Sequence, residues 1–280
     1  MSEGKEELAI RRILIGLDTS YHSLAALRAA AELASSLEAE LHGLFVEDSN
    51  LLRAAELTVA RELRFPFATR GRLSPIRMRR QLRAQAEQAR QALSAIARHH
   101  EITWSFQVVR GAVSAKMLEE AANADLLCVG RASRPVLHRS RVGSTAEAAA
   151  MRGPRSVLLV SRDTGIHPPV VVLYDGSPDT KRVLLLASNV ADHIGGLLSI
   201  LVPASASGTS KEIQEQITSG LDAEGLLVRY RELAGSGVMS LINAVQTEGA
   251  GMLVLERAFL PADSLRKLLD EVDCPVLLVG

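Results

Sequence analysis

Ile13-Leu-Ile-Gly-Leu-Asp18-Thr-Ser20 returns far downstream as Val170-Val-Val-Leu-Tyr-Asp175-Gly-Ser177. Each copy is a short, branched apolar run that ends in Asp-x-Ser, which reads as a buried strand running into a helix start. After the first copy, Leu24, Leu27, Ala31 and Ala34 fall on one helical face, and after the second Ala187, Val190 and Ala191 do the same. Later strands match in pairs as well. Ala124-Asp-Leu-Leu-Cys-Val-Gly-Arg131 aligns with Ala250-Gly-Met-Leu-Val-Leu-Glu-Arg257, and Arg155-Ser-Val-Leu-Leu-Val160 aligns with Cys274-Pro-Val-Leu-Leu-Val279. The chain is an internal duplication of a βα pattern, with expected domains at 1–162 and 163–280.

The loop after the run Asp125 to Val129 carries the chemistry. Gly130-Arg-Ala-Ser133 is followed by Gly143-Ser144-Thr145, with Arg134, His138, Arg139 and Arg141 between them. A helix from Ser144 to Met151 would present unpartnered N–H groups and partial positive charge to an anion. Ser144-x-x-Glu147 reads as a capping box, and a plain helix cap is the competing account of Ser144. For Asp18 the competing account is an Asx turn or cap. Ser20 and Ser177 read as helix caps rather than nucleophiles.

These segments together resemble the universal stress protein family in its tandem form, over nearly the whole chain from Arg11 to Val279. The resemblance implies an α/β fold of two Rossmann-like domains, each a five-stranded parallel sheet of order 3-2-1-4-5 flanked by helices. It also implies an adenine nucleotide, ATP or a relative, across the carboxyl ends of the first and fourth strands, with a divalent metal through its phosphates. Ligands in open α/β sheets bind where the strand order reverses, which is the same place. The family signature, Gly-x2-Gly-x9-Gly-Ser/Thr, falls on Gly130, Ser133, Gly143 and Ser144, so serine replaces the middle glycine and would crowd a site that needs close backbone approach. Carried over, Asp18 lies near base and ribose, Val46 offers backbone contacts to adenine, and Gly130 approaches the sugar. Gly143, Ser144 and Thr145 face the phosphates, with Arg131 and Ser133 in the same loop.

The second half departs from this pattern. Glu256 stands where Gly130 stands in the first, and only Ala258 to Pro261 precede the next helix start near Asp263. A carboxylate about 5 Å from a phosphate costs on the order of 3 kcal/mol at an effective dielectric of about 20. One nucleotide site per chain is therefore expected, in the first half. Family members commonly dimerise through the fifth strand. The two copies here, Val157 to Val160 and Val276 to Val279, should pair within the chain, across a linker Ser161 to Pro169, and a homodimer beyond that stays open.

Composition narrows the class. The 280 residues are 47% hydrophobic, enough for two ordinary cores. The net charge of zero hides an asymmetry: residues 1–162 hold 24 basic and 17 acidic groups, +7, against 8 and 15, −7, in residues 163–280. Residues 61–83 contain eight arginines and one acid, Glu62, with Phe65 and Phe67 among them. The acidic half argues against a nucleic-acid surface. From Ser74-Pro75 a helix should run to about Arg98, burying Met78, Leu82, Ala86, Ala89, Leu93 and Ile96. No run approaches the roughly 20 apolar residues of a membrane span, and Met1 to Lys5 does not begin a signal peptide, so a cytoplasmic location is expected. Cys128 and Cys274 lie in apolar strands and read as reduced, buried thiols. His99-His100 ends a helix, where the macrodipole favours a cation. No metal motif or catalytic set is present in the pattern. A regulatory stress-response protein that is not an enzyme is the leading reading, a scaffold without nucleotide the alternative, and slow ATP hydrolysis a weaker third.

Overall fold

A computed structural model describes residues 10–56, 61–64, 69–72, 74–131, 142–153, 155–161, 165–204, 206, 213, 215, 217, 225–235 and 237–280. Ser133, Arg134, Arg139, Arg141, Phe65 and Phe67 lie outside them.

In the first half, strands β1 (Arg12–Gly16), β2 (Glu40–Asp48), β5 (Trp104–Gly111), β6 (Leu126–Gly130) and β7 (Ser156–Val160) alternate with helices α1 (Tyr21–Ser36), α2 (Ser49–Glu56), α3 (Pro75–His99), α4 (Val113–Ala121) and α5 (Ser144–Arg152). The arginine-rich insertion contains a two-stranded antiparallel ribbon, β3 (Arg61–Arg64) and β4 (Thr69–Arg72), which the sequence pattern did not announce. The second half supplies β8 (Val170–Leu173), α6 (Pro178–His193), β9 (Leu197–Val202), β10 (Leu227–Glu232), α7 (Val238–Glu248), β11 (Met252–Glu256), α8 (Ala262–Glu271) and β12 (Val276–Val279).

The main sheet runs β10-β9-β8-β11-β12-β7-β6-β1-β2-β5. Each half thus has the order 3-2-1-4-5, all parallel, and the two fifth strands meet antiparallel, Leu277 opposite Leu158 and Leu278 opposite Val157. Pairing removes two apolar edges that would otherwise be open to another chain. Helices cover both faces, so side chains alternate between two buried layers. Ile13 and Ile15 belong to the buried layer that also holds the inner faces of α1, α3 and α6, while Leu14 belongs to the opposite layer with those of α4, α5, α7 and α8. Alanines on the buried side of α1, among them Ala26, Ala30 and Ala34, let that helix sit close to the strands beneath it.

The insertion helix begins and ends where Ser74-Pro75 and Arg98 suggested, and buries Leu82, Ala86, Ala89 and Leu93, with Met78 and Ile96 packed beside them. Ser20 and Ser177 both cap their helices, each accepting from the amide three residues on at 3.2 Å. The capping box at α5 does not form. Gly143 is the N-cap, no side chain caps the helix, and Glu147 instead reaches Arg266 of α8 at 2.6 Å. A full ionic partner across the seam outcompetes a lone backbone amide for that carboxylate.

Candidate functional site

A cavity of about 490 Å³ opens at the carboxyl ends of β1, β2 and β6, the point where the strand order of the first half reverses. That volume lies in the ordinary range of small-molecule sites. Asp18, Val46, Gly130, Ser144 and Thr145 all line it.

Asp18 follows β1 directly. Its Oδ1 accepts from the Ser20 amide at 3.0 Å, and its own amide donates to Ser23 Oγ at 3.1 Å. The Asx-turn account therefore describes its local geometry, and one carboxylate oxygen is committed there. The turn holds Thr19 at φ 63°, while its counterpart Gly176 has φ 86°. A β-branched residue in that region is strained by roughly 1–3 kcal/mol.

Gly130 ends β6. A Cβ there would lie 2.7 Å from the carbonyl carbon and oxygen of His22, in the first turn of α1. Close approach of β6 to α1 thus accounts for this glycine before any ligand is considered. His22 Nδ1 is in turn 2.7 Å from the Ser161 carbonyl, just past β7.

Gly143 caps α5 with φ −75° and ψ 157°, and its amide donates to the Arg131 carbonyl at 2.5 Å. Gly143 as N-cap has no side chain to offer, so among the described residues no cap oxygen takes the first-turn amides near Ser144 and Thr145, the arrangement that favours an anion. Thr145 Oγ1 lies 3.4 Å from Ser114 Oγ of α4.

Arg131 does not face the cavity. Its guanidinium is buried and donates to the carbonyls of Leu269, Val272 (2.7 Å) and Cys274 (3.2 Å) in the second half. The expectation that it joins the phosphate loop gives way to a seam contact. A signal for this was present in the repeat, which keeps Arg257 at the equivalent place although the second half has lost the loop.

Several lining residues escaped the sequence reading: Asp48 at the end of β2, Asn50 of α2, Leu82 and Gln85 of α3, and Ser114 and Met117 of α4. Asp48 repeats the logic of Asp18, its Oδ1 accepting from the Asn50 amide at 2.8 Å. Among the described lining residues the charged groups are the two carboxylates, Asp18 and Asp48.

In the second half, Glu256 occupies the place of Gly130. Burial, reinforced by Asp179 and Asp175, pushes its carboxyl above the ordinary range. Like charges at this mouth oppose a phosphate. Among the described residues no group of three or more His, Cys, Asp or Glu is placed to hold a metal. No described helix is long and apolar enough to cross a membrane.

The model of the universal stress protein family matches residues 9–161, more than half of the chain. The chain belongs to the universal stress protein family. Among solved structures, a universal stress protein from Archaeoglobus fulgidus DSM 4304 superimposes with a TM-score of 0.74 at 16% identity, covering 98% of both chains. A putative universal stress protein from Pseudomonas aeruginosa UCBPP-PA14 gives a TM-score of 0.58 at 14% identity, covering 98% of this chain and 94% of that one. At such identities these likenesses concern the fold. No curated protein matches the chain. As a universal stress protein it has the doubly wound architecture expected from its repeats, with both halves in one continuous sheet.

Proposed function

We propose that this universal stress protein binds one adenine nucleotide, ATP or a relative, in the cavity of its first half and acts as a cytoplasmic regulator rather than an enzyme. The observation that carries the reading is the uncapped first turn of α5, with Ser144 and Thr145 at the floor of a cavity walled by Asp18 and Val46. Backbone amides and hydroxyls there suit phosphate oxygens, while the apolar wall of Leu44, Phe45, Val46, Leu51, Leu82 and Val129 suits a flat base. The carboxylates of the described lining, Asp18 and Asp48, would repel a bare triphosphate, so nucleotide whose charge is offset by a divalent cation fits the cavity better than free nucleotide.

Turnover requires a nucleophile and positive charge placed together around the transferred phosphoryl group. The loop sequence offers no evident base to orient an attacking water, which is why storage or sensing of the nucleotide is preferred to its turnover. A cytoplasmic setting suits Cys128 and Cys274, both free and buried, with burial pushing the Cys274 thiol up to about 11. Mass spectrometry of small molecules released from gently purified protein tests the proposal: an adenine nucleotide near one per chain is expected.

The second reading is a scaffold without nucleotide. It is favoured by one observation, that Asp18 and Asp48 are each already bound to a local amide and are the charged groups of the described lining. Protein that releases no nucleotide and takes none up from solution would support it.

A further inference from the structure

Resting on the nucleotide reading above, we propose that Arg131 is a positioning residue through which the second half sets the anion-facing end of the first half's cavity.

Arg131 stands immediately after Gly130, the last residue of β6, and its backbone is held on both sides. Its amide donates to the Val160 carbonyl at 2.7 Å, and its carbonyl accepts from the amide of Gly143, the N-cap of α5. Ser144 and Thr145, which line the cavity, follow at once. The backbone of Arg131 is therefore the fixed point from which the start of α5 hangs.

What fixes that point lies in the other half. The guanidinium, 2% exposed, is tied to the carbonyls of Leu269, Val272 and Cys274. These carbonyls belong to the end of α8 and the chain leading into β12, where unpaired oxygens carry partial negative charge. A buried cation is tolerated only with such partners, so Arg131 cannot shift without losing them. A second tie points the same way: Arg266 of α8 bonds Glu147 of α5 at 2.6 Å, while also holding Asp263 at 3.1 Å. Both Arg131 and the first turns of α5 are thus referred to one helix of the second half.

The duplication provides an internal control. Arg257 makes the mirror contacts, to the carbonyls of Gly153 and Arg155 (3.4 Å). It follows Glu256 rather than a glycine, beside a mouth crowded with carboxylates. Losing Arg257 damages the same seam without touching the start of α5.

The test is calorimetric titration of the full chain with MgATP, alongside denaturant unfolding, for wild type, Arg131→Gln, Arg257→Gln and Arg266→Gln. Arg131→Gln should weaken binding about tenfold, within the usual range of coupling between linked sites. Arg266→Gln, which breaks a half-exposed pair, should weaken it about twofold, and Arg257→Gln should cost stability but leave affinity unchanged. Equal losses of affinity in Arg131→Gln and Arg257→Gln, or none in Arg131→Gln, would overturn the positioning role. If Arg131→Gln does not fold, Arg266→Gln decides, and unchanged affinity there overturns the proposal. Wild type that binds no MgATP removes the nucleotide reading and this proposal together, whereas wild-type binding with insensitive variants removes only this one.

Discussion

Arg131 and Arg257 occupy equivalent places in the two halves, and each donates across the seam to the same pair of positions in the other: Arg131 to Val272 and Cys274, Arg257 to Gly153 and Arg155. The aligned strands make Arg155 the counterpart of Cys274 and Gly153 that of Val272. The seam therefore has a pseudo-two-fold character, with the buried Arg131 on one side, the half-buried Arg257 on the other and the antiparallel β7–β12 ladder between the halves.

A seam of this kind should make the halves unfold together. Leu158 and Leu277 are register partners in it and both fully buried. Leu158→Ala or Leu277→Ala should each cost about 2–5 kcal/mol, and the double variant less than their sum, because the partners share one packing environment. Denaturant unfolding followed by two probes checks this. Separate transitions for the two halves would mean that the seam does not couple them.

Thr19 offers a gain of stability. Its φ of 63° is strained for a β-branched side chain, and Gly176 performs the same turn at 86°. Thr19→Gly should raise stability by about 1 kcal/mol, and Gly176→Thr should lower it by at least as much. Thermal unfolding of the two variants reads the signs, and a loss for Thr19→Gly would show that its side chain does more than suffer the turn.

Glu256 predicts a pH dependence. Burial, with Asp179 and Asp175 nearby, raises its carboxyl above an ordinary value near 4.5. The folded state then holds this proton more tightly than the unfolded chain, so stability falls as pH rises from the unfolded value through the folded one. Above that window a constant penalty remains. Glu256→Gln should be more stable than wild type at neutral pH and should flatten the curve just above pH 4.5, measured by unfolding at a series of pH values. Equal stability at neutral pH would contradict the burial of a charged carboxylate there.

The parts legible in the sequence were those governed by local patterning. The β1 and β8 copies show their apolar runs and their Asp-x-Ser ends directly, and Ser20 and Ser177 cap as short polar side chains do. Ser74-Pro75 marks the start of α3 for the same local reason. Glu147 misled because its partner, Arg266, is 119 residues away, and no local rule anticipates that competition. Arg131 misled because an arginine beside a glycine loop suggests phosphate, whereas the carbonyls that hold it come from α8. Asp48, Gln85 and Ser114 join the cavity only once β2, α3 and α4 converge, which no spacing in the chain expresses.

Gly130→Ala separates packing from binding at the strand end. The new methyl would meet the His22 backbone at 2.7 Å, and backbone cannot swing aside as a flexible side chain would. A loss of about 1–3 kcal/mol in stability is expected, as for other overpacked sites, visible in denaturant unfolding with or without nucleotide. Unchanged stability would mean that α1 gives way freely and that Gly130 is there for the ligand alone.

The nucleotide site itself is tested most directly by titrating wild type and Gly143→Asp with MgATP in a calorimeter. Gly143 has φ −75° and ψ 157° at the N-cap of α5, a backbone that aspartate adopts readily and a position where it stabilises a helix, so the fold should survive. The added carboxylate would take the first-turn amides and repel phosphate. One nucleotide per wild-type chain, abolished in Gly143→Asp, is the predicted result; two sites, none, or binding that survives the substitution would contradict it.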